Sequence, residues 1–151
     1  MNTQPINNLG YLLHHLSSVL DRQSDLLLQE RLDIGFSQFK ILLALKSGQH
    51  VQQKQIAERL GQTEASVSRQ IKLLHEVGYL QSQPSSSDRR ERITSLTAKG
   101  EALVDKAMKA LNDYHAPVFE RLSLSQQLAL QNMLDMMHTQ TCNENRPAGC
   151  N

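Results

Sequence analysis

Between Gln53 and Leu96 the hydrophobic period changes from helical to strand-like, and that change limits most tightly what this chain can fold into. Gln53 to Leu60 carries Ile56, Ala57 and Leu60 at helical spacing, and Gly61 ends it in the residue type that tolerates a left-handed cap. Thr63 caps a further helix at once. On its wheel, at about 100° per residue, Val67, Ile71 and Leu74 fall within about 60° of one another, leaving Ala65, Arg69 and Lys72 to face the other way. After Gly78 come Tyr79 to Gln83, a polar Ser-rich stretch from Pro84 to Arg90, and Glu91 to Leu96, which together predict a β-hairpin.

The remainder reads as helix. Leucine occurs 24 times against 12 for valine and isoleucine together, a bias that suits helices better than strands. Ile6 to Leu32 predicts one long helix, with Leu9, Leu12, Leu13, Leu16, Val19, Leu20 and Leu26 to Leu28 recurring at spacings of three and four. A second begins at Ser37, read as an N-cap, carries Phe39, Ile41, Leu42 and Leu45, and stops at Ser47-Gly48. Thr97 caps a fifth helix to about Tyr114, where His115-Ala116-Pro117 predicts a break or kink. Ser123 and Gln126 form a capping box for a last helix bearing Leu128, Met133, Leu134 and Met137, and residues 143–151 are expected to fray.

Composition excludes several classes. With 151 residues the chain makes one domain of ordinary size, and with 16 Lys+Arg against 15 Asp+Glu any basic surface must be local. No Trp, three Tyr and three Phe supply few platforms for stacking unpaired bases. The longest apolar run, Ile41 to Leu45, is far short of the ~20 residues that span a bilayer, so no membrane helix is expected. Residues 1–9 show no secretory signal, which makes the cytoplasm the expected location. Cys142 and Cys150 would staple only a short tail and make no disulfide framework. No Gly-rich phosphate loop, Gly-x-Ser-x-Gly elbow or His-Glu-x-x-His is present, so an enzyme is not expected, nor a cofactor. His14 and His15 point about 100° apart on a helix, and His50, His75, His115 and His138 are scattered, a spacing that favours no metal site.

Helix, tight turn, helix and hairpin, in that order, are the parts of a winged helix-turn-helix. The expected fold is therefore mainly α, with a small β-hairpin wing flanked by long helices. Small Ala65 and Ser66 would let the helix end approach base edges, Ser68 can donate or accept, Arg69 can fork onto a guanine, and Lys72 suits phosphate. For that helix alone, the commoner reading is the solvated face of an amphipathic helix. The hairpin alters the balance. Residues 65–92 hold five Lys/Arg against three Asp/Glu, where the rest of the chain has eleven against twelve, and Arg89, Arg90 and Arg92 crowd the hairpin beside Asp88. An arginine held by a neighbouring carboxylate can enter a narrow, negative minor groove at lower ordering cost.

At these residues the sequence resembles the MarR transcription regulators. The likeness runs from Ser37-Gln38-Phe39-Lys40-Ile41-Leu42-Leu43-Ala44-Leu45, through Gln55-Ile56-Ala57-Glu58-Arg59-Leu60-Gly61 and Val67-Ser68-Arg69, to Asp88-Arg89-Arg90 and Ser95-Leu96-Thr97-Ala98-Lys99-Gly100. It implies a homodimer in which the first, fifth and sixth helices interlock, holding two reading helices over a pseudo-palindromic double-stranded DNA site. It implies too that Asp88 orients Arg90 for the minor groove, with Arg89 and Arg92 near the backbone. The expected division is 1–35 for dimerisation, 36–98 for DNA, 99–141 for dimerisation and 142–151 as a flexible tail. Repression relieved by a small aromatic or anionic effector follows as the family's common behaviour, with Tyr11, His15 and Phe36 as candidate lining groups. The sequence departs from the pattern at Leu73 and His75, where a charged residue is common, and at Gln52, where Ser or Thr usually caps. It has no cysteine in the first helix, so peroxide sensing by that route is not expected. Two rival readings stand beside this one: a metal-responsive regulator on the same fold, and a winged domain that contacts protein instead of DNA.

Overall fold

A computed structural model of the chain describes residues 5–46, 53–84 and 92–141. Its elements are α1 (Pro5–Leu32), α2 (Phe36–Lys46), α3 (Gln53–Leu60), α4 (Glu64–Glu76), β1 (Leu80–Pro84), β2 (Arg92–Leu96), α5 (Ala98–Phe119) and α6 (Leu124–Thr141). The Ser47-Gly48 stop, His50, Gln52, the hairpin residues 85–91 with Asp88, Arg89 and Arg90, and both cysteines lie outside the described residues.

Gly61 stops α3 as the sequence predicts, and Gly78 gives α4 the same ending. Gly61 has φ +62°, and the bonds Gln62 N–H to Ala57 carbonyl (2.9 Å) and Gly61 N–H to Glu58 carbonyl (3.3 Å) complete a Schellman motif on α3. Gly78, at φ +80°, does the same for α4 through Tyr79 N–H to Leu74 carbonyl (2.9 Å) and Gly78 N–H to His75 carbonyl (3.0 Å). This use of its N–H draws Tyr79 out of the predicted strand. The strands pair antiparallel from Leu80 opposite Leu96 to Pro84 opposite Arg92, so Pro84 belongs to β1 and not to the hairpin tip.

Two expectations need correction. Ser37 is not a cap: α2 begins at Phe36, whose N–H is taken by Asp25 of α1 (2.8 Å), while Gln38 reaches back to the Gly35 N–H (3.0 Å). A carboxylate eleven residues upstream thus supplies what the local hydroxyl was expected to give. Nor does α5 break before Pro117. It continues to Phe119, and Glu120 N–H still bonds the Ala116 carbonyl at 2.9 Å, so the proline costs the last turns one backbone bond and not the helix. The Ser123–Gln126 box forms in both directions, with Gln126 accepting from Ser123 N–H (2.8 Å) and Ser123 accepting from Gln126 N–H (3.3 Å).

One core joins the end of α1, α2, α3, α4, the start of the hairpin and the first half of α5. Leu28, Ile41, Leu42, Ile56, Val67, Leu74 and Val104 are its largest fully buried members, each contributing roughly 1.5–3 kcal/mol by leaving water. Beyond it, Leu9, Tyr11, Leu12, Leu13 and Leu16 of α1 are exposed, and no residue of α6 is buried.

Candidate nucleic-acid interface

The α4 helix is held from behind and presents a free face in front. Thr63 accepts from the Ser66 N–H at 3.2 Å, Val67, Ile71 and Leu74 sink into the core, and Ala65, Ser68, Arg69 and Lys72 are exposed. Among the described residues neither Arg69 nor Lys72 forms an ion pair, so both cations face solvent uncompensated. Such a face offers one guanidinium fork, one ammonium and two small side chains to an incoming polyanion.

Ser66 is placed differently from its three predicted companions. It is half-buried, and its hydroxyl accepts from Gln70 Nε2 at 3.3 Å. Gln70 Nε2 also donates to Gln62 Oε1 at 3.0 Å, and Gln62 Nε2 donates to the Ser37 hydroxyl. This relay ties α4 through the turn to α2, and it fixes how the exposed face is aimed. Sequence reasoning missed Gln62 and Gln70, since glutamines at ordinary solvent spacing carry no signal that they will meet. Ser37, misread as a cap, is the far end of the relay.

The hairpin is fastened at its base by α5. Thr97 donates to the Gly78 carbonyl at 2.7 Å and accepts from Gly100 N–H at 3.1 Å, so one hydroxyl caps α5 and closes the turn after α4. Lys99 donates to the Val77 carbonyl at 2.8 Å and lies 4.7 Å from the Tyr79 ring centroid. At Gly100 a Cβ would meet the Tyr79 carbonyl oxygen at 2.2 Å, so only glycine admits this crossing. Further along the wing, His75 of α4 bonds Ser82 of β1. The backbone of Arg92 lies at the outer end of β2, paired with Pro84.

The three candidate effector residues are not gathered in one chain. Tyr11 and His15 stack at 6.0 Å between ring centroids on the exposed part of α1. Phe36 lies beside Asp25, at least ten residues and about 15 Å further along that helix, stacked on Phe39 at 5.9 Å. Among the described residues the histidines do not gather: His14 and His15 lie on exposed α1, His75 on α4 against Ser82, His115 against Ser24 at 3.2 Å, and His138 on α6. No described helix is long and apolar enough to cross a membrane.

A helix-turn-helix whose second helix offers a cationic, uncovered face, followed by a two-stranded wing, defines a winged helix protein. Comparisons with known proteins refine that class. The model of the MarR family matches residues 32–91, which span α2 through β1. An HTH-type transcriptional regulator of Bacillus cereus is 26% identical over 136 residues, covering 87% of this chain and 90% of that protein. MarR of E. coli in its apo form superposes with a TM-score of 0.75 at 23% identity, over 85% of this chain and 95% of that one. A cysteine-to-serine mutant of the same protein, complexed with operator DNA, gives 0.71 at 22% identity, over 91% and 99%. A MarR family protein of Mycobacterium tuberculosis in complex with salicylic acid gives 0.73 at 26% identity, over 85% and 95%. Residues 32–91 thus match the MarR family, and the chain has the winged helix fold of the MarR structures.

Proposed function

We propose that this regulator binds double-stranded DNA as a homodimer on a pseudo-palindromic operator and acts as a repressor released by a small aromatic or anionic ligand, in the cytoplasm. The observation that carries the reading is the exposed α4 face, with Arg69 and Lys72 outside every ion pair among the described residues and the opposite side locked in the core. Ala65, Ser68 and Arg69 serve base edges, Ser66 the helix end, and Lys72 a phosphate. Arg89, Arg90 and Arg92 serve the wing's contacts, with Asp88 as the brace of Arg90. The relative solved with operator DNA and the relative solved with salicylic acid support the two halves of the proposal.

Residues 1–35 and 99–141 serve dimerisation, and residues 36–98 the DNA. Tyr11 and His15 make an aromatic pair that suits a flat anion; Phe36 is kept as a third lining group for a site completed by a second copy.

Binding to random and selected duplexes at two salt concentrations tests this directly. Counterion release requires affinity to fall as salt rises. Arg90→Ala is expected to weaken operator binding while leaving stability within about 0.5 kcal/mol, because replacing one charge within a polar, Ser-rich segment seldom acts on folding. Asp88→Ala should give a milder loss; tighter operator binding with specificity intact would remove the bracing role.

A second reading has one observation in its favour. Leu73 of α4 and Val77, the residue that caps its end, are both 51% exposed, which suits a protein contact. Affinity for duplex that ignores salt would favour that reading.

A further inference from the structure

His75 lies in the last turn of the reading helix, where the sequence departs from the charged residue common in the family. Its ring turns to the wing. Nε2 is 2.9 Å from the Ser82 hydroxyl, which is 3.3 Å from the Thr94 hydroxyl on the opposite strand. Ser82 and Thr94 are register partners, so one polar chain runs from α4 across both strands.

The root of the wing is fixed separately. Leu80 is buried, Tyr79 N–H bonds the Leu74 carbonyl, and Thr97 N–H bonds the Tyr79 carbonyl at 3.1 Å. Ser82 lies two residues further out on the same face of β1, about 7 Å beyond Leu80. A two-stranded ribbon has little stiffness of its own. Held only at its root it can swing; held at a second point on the same face it has a direction.

We propose that His75 is a positioning residue which, through Ser82, sets the direction of the wing relative to α4 so that both reach one duplex together. This rests on the DNA-binding reading above. Imidazole suits the task because an unprotonated Nε2 accepts from the Ser82 hydroxyl and a protonated one donates to it. A lysine or arginine here would serve a phosphate; His75 serves the wing.

The test uses the full chain and a duplex selected by it from a random pool. Affinity, thermal midpoint and hydroxyl-radical footprint are measured for His75→Leu, Ser82→Ala, the pair together, and His75→Gln, whose amide can take the place of Nε2. Each of the first two should lose about three- to tenfold in affinity, the size of one hydrogen bond, and the pair no more than either alone. Protection of the minor-groove flanks should fade while protection within the half-sites and the thermal midpoint hold, and His75→Gln should restore binding. Independent, multiplying losses, uniform weakening of the whole footprint, or failure of glutamine to rescue would overturn the proposal. Should His75→Leu fail to fold, Ser82→Ala and His75→Gln carry the same comparison. A wild-type chain that retrieves no duplex at all would instead overturn the DNA-binding reading, and this proposal with it.

Discussion

The winged half and the terminal helices of this molecule spend their leucines differently. Among the described residues every buried hydrophobic one lies between Leu27 and Leu111, whereas Leu9 to Leu16 are exposed and α6 buries none, with Leu124 73% and Met136 70% exposed. A shallow groove lined by Phe119, Leu130 and Leu134 adds to the open surface. The first region buries a core of its own and leaves mostly polar groups outside, with Leu43, Leu73 and Val77 among the exposed exceptions. The second suits the proposed dimer, because apolar stripes of this length in contact with water mark an association surface. The division teaches that recognition and assembly are separable here, and substitutions can attack either alone.

The largest effect is expected in the core. Leu28→Ala should cost about 2–5 kcal/mol of stability, seen as a lowered thermal midpoint, because it opens a cavity where the side chain is 0% exposed. Leu128→Ala in exposed α6 should leave folding of the winged half almost unchanged. Equal losses for both would erase the contrast between the regions. Next comes assembly: Leu134→Glu places a charge on the open stripe and should cost self-association roughly 2 kcal/mol or more. Sedimentation should find the wild type dimeric at micromolar concentration and this variant shifted to monomer; a monomeric wild type would defeat the dimer reading.

Gly100→Ala sharpens the comparison from inside the winged half. A methyl group 2.2 Å from the Tyr79 carbonyl must push the hairpin off α5, at a cost of about 1–3 kcal/mol in thermal or denaturant unfolding. The smallest effect is the most specific. Arg69→Ala should cost about 1–3 kcal/mol on the selected operator and relax base choice at one position of each half-site, with stability unchanged. Lys72→Ala should weaken all duplexes alike and reduce the salt slope by about one. Losses that are equal on selected and random DNA for both variants would mean that α4 does not read bases.

Features that were local in sequence were legible in it. The caps made by Gly61, Thr63, Thr97 and the Ser123–Gln126 box are local contacts, and each is where its residue type predicts. What escaped notice depends on partners far along the chain. Ser37 lost the capping role to Asp25 of α1, and gained instead a bond from Gln62. The aim of the reading face rests on Gln62 and Gln70, and buried Ser24 meets His115 ninety-one residues away. Neither meeting leaves a periodicity to read. Pro117 was misjudged for a different reason: a single missing N–H near a helix end is a small loss against a long packed helix.

The central claim is that two copies, joined by their terminal helices, present two α4 faces to one duplex. Selection of bound sites from a random duplex pool, with the mass of the complex measured by sedimentation, tests it most directly. The account predicts inverted half-sites whose centres are about one helical turn, roughly 10 base pairs, or a whole multiple apart, with two chains on each duplex. A pool that yields no enriched sequence, or a single half-site carrying one chain, would contradict it.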